Sequence, residues 1–152
     1  MLDFFKNIDE DPNYYKTNTD KFLKKCKKAL EEHITPYANS GFFSRNETST
    51  LLHFIAGFCR NCSANKLKLI INSQIDNIDK TNNNGLTPLH LAAKRGNPEC
   101  IKALLEHKEA AKAITMAITN GDFKGYTPLH LAAENGHTDA ISALLKTKEG
   151  LA

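Results

Sequence analysis

The sequence predicts an all-α solenoid of about three helix–turn–helix repeats with an N-terminal helical cap, and three observations carry that prediction. Residues 85–96 read GLTPLHLAAKRG and residues 125–136 read GYTPLHLAAENG, identical at nine of twelve positions. Each block is followed by the same apolar triplet, Ile101, Leu104 and Leu105 in one and Ile141, Leu144 and Leu145 in the other. A weaker copy lies upstream, where TLLHFIAGF at 50–58 aligns with TPLHLAAKR at 87–95 and Leu67, Ile70 and Ile71 take the triplet positions.

Each element of the repeat has a physical reason. Thr87 and Thr127 stand where a helix N-cap is wanted, each followed by proline at the first helical position, where a missing N–H costs nothing. Leu89, Ala92 and Ala93 put small and apolar groups on one face, so that two helix layers approach closely. Gly96 and Gly136 fit the left-handed residue that ends a helix. One such unit cannot bury its own face, and about three are the minimum for a continuous core.

The blocks divide the chain into residues 1–47, an N-terminal segment, and repeats at about 48–84, 85–124 and 125–152. Signature threonines are spaced by 37 and 40 residues, against about 33 in the repeat type with a TPLHxA block. The excess falls inside the first repeat's turn, before Ile78 and, by about seven residues, before Ile118; loops absorb such insertions at little cost. Ile78 and Ile118 each sit seven residues ahead of the repeat's glycine, Gly85 or Gly125. In the N-terminal segment, 18–34 reads as an amphipathic helix with Phe22, Leu23, Cys26, Leu30 and Ile34 at helical spacing. Its expected role is to cover the open side of the first repeat.

The two TPLHLAAxxG blocks closely resemble the ankyrin-repeat family over residues 85–145, and loosely over 48–84. The resemblance implies a module that holds a partner protein on its concave face, formed by loop tips and the exposed side of each first helix. The family's variable positions carry over to Asn83, Asn84, Leu86, Lys94 and Arg95 in the second repeat. In the third they are Phe123, Lys124, Tyr126, Glu134 and Asn135, and in the first Gly57 and Phe58. Phe58, Leu86, Phe123 and Tyr126 are expected to form an apolar ridge beside Lys94, Arg95 and Lys124, the composition of an interface hot spot. By the same resemblance His53, His90 and His130 are structural, bonding to the signature threonine and to backbone of the neighbouring loop.

Other chemistry finds little support. Cys59 and Cys62 form a lone CxxC, short of the four ligands zinc takes and without a thioredoxin-like context, so no metal and no cofactor is expected. Phosphate-loop, HExxH and GxSxG patterns are absent, which argues against an enzyme. The net charge of +3 and pI near 8.6 fall short of a nucleic-acid binder. Basic residues are 17 Lys to 3 Arg, a poor balance for reading phosphates bidentately. KKCKK at 24–28 lies within residues 1–40, where seven lysines meet seven acids, so a solvated helix face is expected rather than a membrane or import patch. No apolar run reaches the ~18 residues of a membrane span. MLDFFKNIDEDP does not read as a secretory signal, so reduced thiols and a cytoplasmic setting are expected. The function expected is a stand-alone adaptor or inhibitor. The abundance of Asn, Lys and Ile fits an effector of an intracellular bacterium working in the host cytosol. The alternative is the targeting module of a longer protein. The third repeat keeps the internal apolar pattern, with only seven residues after Leu145. That pattern predicts a downstream segment or self-association through this end.

Overall fold

The computed structural model describes residues 51–58, 64–73, 76, 78–82, 84–107, 109, 112–118 and 123–150, together with 20, 21, 24 and 28. Six helices account for most of these: α1 Leu51–Phe58, α2 Ala64–Ser73, α3 Pro88–Arg95, α4 Pro98–Leu105, α5 Pro128–Glu134 and α6 Thr138–Gly150. They pair as three units. The first helices form one layer, α1 against α3 and α3 against α5, and the second helices another, α2 against α4 and α4 against α6. Among the described residues there are helices and turns only, as the all-α repeat pattern predicts.

Local chemistry sets the helix ends. Thr87 takes an extended conformation and its side chain accepts from the His90 N–H, while Pro88 opens α3. Asn97 does the same for α4, its Oδ1 accepting from the Cys100 N–H at 3.1 Å ahead of Pro98. Gly96 (φ 68°) and Gly136 (φ 69°) are left-handed, as the sequence predicts. The two glycines differ in one respect. A Cβ on Gly96 would run into the His137 ring, whereas one on Gly136 would meet open space. His137 also donates from Nε2 to the Lys94 carbonyl at 3.0 Å, so Gly96 is where unit three leans on the turn of unit two. Gly136→Ala is therefore expected to cost about 1 kcal/mol, for the left-handed backbone alone. Gly96→Ala should cost roughly 3 kcal/mol, because overpacking adds to that term. Equal urea midpoints for the two variants would contradict this.

The core is one continuous seam. Leu52, Ile55, Leu67, Ile70 and Ile71 of unit one join Leu89, Leu91, Ile101 and Leu104 of unit two and Leu131 and Leu144 of unit three, all buried. Ile78 and Ile118 are buried at matching places, anchoring the loops that lead into units two and three. Fully burying each such side chain contributes about 1.5–3 kcal/mol, and the alanines at 92, 93 and 132 let the helices come close enough to do so. The surface ion pair between Lys68 and Glu106, at 3.0 Å and half-exposed on both sides, adds at most ~1 kcal/mol.

The insertion before Ile118 does more than lengthen a loop. Ala113 is buried, Ile114 and Met116 pack against the core, and the Met116 carbonyl becomes a hydrogen-bond acceptor for unit two. Of the N-terminal helix, Asp20, Lys21, Lys24 and Lys28 are helical and exposed. Its apolar face and the CxxC at Cys59 and Cys62 lie outside the described residues.

Candidate protein-interaction site

The loop entering unit three is tied by its own backbone. The Ile118 N–H donates to the Tyr126 carbonyl at 2.9 Å, the Gly125 N–H to the Ile118 carbonyl at 2.7 Å, and the Tyr126 N–H to the Phe123 carbonyl at 3.0 Å. Gly125, at φ 88°, supplies the turn that an L-side chain resists. This frame holds Phe123 and Tyr126 half-exposed and edge to face, with ring centroids 5.9 Å apart at 61°. Tyr126 continues onto His130, centroids 5.7 Å apart.

Across the seam, the last turn of α3 brings Lys94 onto the same cluster. Its Nζ lies 4.3 Å from the centroid of the Phe123 ring, a cation–π contact of about 0.5–2 kcal/mol. Partial burial holds the Lys94 amine below its ordinary pKa; Arg95 pushes the same way and Glu134 opposes them. Arg95 is half-buried beside it, and Lys124, Glu134 and Asn135 are exposed. The Asn135 amide donates to the Leu131 carbonyl at 2.8 Å, so that side chain finishes α5 as well as facing solvent.

The loop entering unit two is built differently. Asn82 Oδ1 accepts from the N–H groups of Asn84 and Leu86, both at 3.0 Å, and Asn82 N–H donates to the Leu86 carbonyl at 2.9 Å. Asn84 is exposed. Leu86, expected on the apolar ridge, is only 4% exposed and belongs to the core. With no polar tip to keep it wet and both backbone groups pinned, its aliphatic side chain turns into the seam between units. Tyr126, at the matching position, is half-exposed. Asn83 and the Phe58 side chain lie outside the described residues. The ridge is therefore described only at Phe123 and Tyr126. The one-residue difference between Leu86 and Tyr126 was the available signal. Asn82, which shapes this loop, was not singled out in the sequence because its role depends on folding back over four residues.

The histidines stitch unit to unit. His53 donates from Nε2 to the Leu86 carbonyl at 2.9 Å. His90 donates from Nε2 to the Met116 carbonyl at 2.9 Å, while its Nδ1 accepts from the Thr87 N–H at 3.2 Å and the Thr87 hydroxyl at 2.7 Å. Burial drives the His90 pKa down to about 4, with the Met116 carbonyl opposing and His53 adding to the fall; the His53 pKa is lowered for the same main reason. These two are structural groups. Burial likewise pushes the Cys100 thiol up to about 12, which leaves it inert.

Among the described residues, no cluster of three or more histidine, cysteine or acidic side chains could hold a metal ion. No described helix is long and apolar enough to cross a membrane. No curated protein matches the chain. The family model described as ankyrin repeats (3 copies) matches residues 42–151, beginning slightly ahead of the boundary read at residue 48. Three helix pairs, threonine–proline helix starts and histidine stitching agree with that match: the chain belongs to the ankyrin-repeat family, whose repeats generally mediate protein–protein interaction.

Proposed function

We propose that the chain is an adaptor or inhibitor that grips a partner protein on the face centred on Phe123, Tyr126 and Lys94. Arg95, Lys124, Glu134 and Asn135 belong to the same proposed face, and the repeat register in the sequence assigns Asn83, Asn84 and Phe58 to it as well. The observation that supports this reading is the Lys94–Phe123–Tyr126 cluster. Two aromatic rings are held half in water by a loop frame, and a cation from the neighbouring unit is laid over one of them. The ankyrin signature requires none of these three residue types, and rigid aromatic side chains beside a cation have the composition of a binding hot spot. Their restricted motion also reduces the ordering entropy a partner must offset.

The test begins with a pull-down from cytosolic extract to identify a partner. Affinity is then measured for Tyr126→Ala combined with Lys94→Ala. Binding should weaken by more than about 2 kcal/mol in a protein that still folds, although loss of the Lys94–Phe123 contact lowers its stability by about 0.5–2 kcal/mol. Undiminished binding by this double variant, with loss on substituting Lys24 and Lys28 instead, would move the site to the N-terminal helix.

A further inference from the structure

Three asparagines in the sequence are followed by glycine: Asn84, Asn120 and Asn135. That pairing carries its own chemistry. The glycine nitrogen, once deprotonated, attacks the side-chain Cγ of the asparagine, and no Cβ on the glycine crowds the approach. A carbon–nitrogen bond forms, ammonia leaves, and a cyclic imide results. Water then opens either carbonyl of the ring, giving aspartate or an isoaspartate whose backbone runs through the former side chain. Asn120 lies outside the described residues, while Asn84 and Asn135 are both exposed.

The two sites are held differently. The Asn135 side chain donates to the Leu131 carbonyl at 2.8 Å. The N–H groups of Asn135, Gly136 and His137 go to the Leu131, Ala133 and Ala132 carbonyls. Asn135 Cγ is therefore fixed against α5, and three residues of that helix hold the backbone around it. The Asn84 side chain makes no hydrogen bond among the described residues. Its backbone hangs on one residue. Asn82 Oδ1 accepts from the Asn84 and Leu86 N–H groups, both at 3.0 Å, and the Asn82 carbonyl accepts from the Gly85 N–H at 2.9 Å. The attacking nitrogen is hydrogen-bonded at both sites, at 2.9 Å for Gly85 and 3.1 Å for Gly136. The difference lies in the side chain and in how many residues must let go.

We infer that Asn84 is a site of spontaneous modification, converting to aspartate and isoaspartate, with Asn82 as the latch that sets its rate. Movement of Asn82 alone releases the Gly85 nitrogen, and no bond holds the Asn84 carboxamide away from it. At Asn135 the bond to Leu131 has to break as well. The fold registers the change. Isoaspartate lengthens the backbone by one methylene between Asn82 and Gly85, inside the frame that presents the Leu86 carbonyl to His53. Either product also places a new negative charge on the loop entering unit two. The modification stands whether or not that loop touches a partner.

The experiment incubates the full chain at mildly alkaline pH, folded and in urea, and follows amide loss by peptide mass spectrometry. Trypsin cuts after Lys80, Lys94, Lys124 and Lys146, which puts Asn84 and Asn135 in separate peptides, and fragmentation assigns the residue. In the folded chain Asn84 should convert about tenfold faster than Asn135, in line with the one side-chain hydrogen bond that Asn135 must first break. In urea the two rates should come together. Asn82→Ala should speed conversion at Asn84 about tenfold, by the loss of its restraining bonds, and leave the Asn135 rate where it was. Equal rates in the folded chain would overturn the inference. So would a ratio that persists in urea, because the adjoining sequence rather than the fold would then set it. The comparison of folded and unfolded wild type does not depend on the variant folding. An Asn84 rate unmoved in a folded Asn82→Ala chain would remove Asn82 as the latch.

Discussion

Replacing His90 with alanine is expected to lower the unfolding free energy by roughly 4 kcal/mol, a large part of the total for a domain of this size. The ring is fully buried and makes bonds in two directions. Removing it strands the Thr87 N–H inside the protein and takes the donor from the Met116 carbonyl, each at ~1–3 kcal/mol. It also leaves a cavity at the seam between units two and three. His130→Ala removes the same local bond to Thr127 but sits in solvent, with no carbonyl on Nε2. Its effect should stay near 1 kcal/mol, the value of a helix cap. Urea denaturation of the two single variants checks this contrast. Similar losses in both would mean that the histidine matters only as a cap and not as a stitch between units.

That contrast marks what could be read from the residues alone. The TPLHLAA block was legible because everything it needs is local. Thr87 caps its own helix, Pro88 starts it and Gly96 ends it, all within ten residues. Repetition at a fixed distance then forces stacking, so the core positions Ile78, Ile101 and Ile118 followed from register. The site was legible only in part. Whether an apolar residue at a loop tip faces water depends on where the loop folds, and Leu86 is buried while Tyr126 is not. The acceptor for each histidine was equally out of reach. His53 finds Leu86, but His90 finds Met116, ten residues ahead of the matching Tyr126, because the insertion before Ile118 delivers its carbonyl first. The Gly96–His137 contact joins residues 41 apart, with no periodic signal to announce it.

The stack is also expected to loosen in acid, over a window its histidines define. His90 is held neutral: Nδ1 must keep its lone pair to accept from the Thr87 N–H and hydroxyl, and Nε2–H is committed to the Met116 carbonyl. A proton on Nδ1 would face the Thr87 N–H, donor against donor, in a fully buried site. The folded pKa is accordingly near 4, against 6.5 for the unperturbed ring, with burial as the main cause. The unfolded chain therefore binds the extra proton first. Stability from this group is complete above pH 6.5 and is lost as pH falls through that value toward 4. At 1.36 kcal/mol per unit the loss is about 3 kcal/mol, and His53, lowered in the same direction, adds to it. Urea midpoints measured at intervals from pH 7.5 to pH 4 should fall along this slope. His90→Gln, which has no titrating proton, should flatten it even as it lowers the plateau. A slope unchanged in that variant would assign the acid sensitivity to the carboxylates instead, and would place the His90 ring in a site that tolerates its charge.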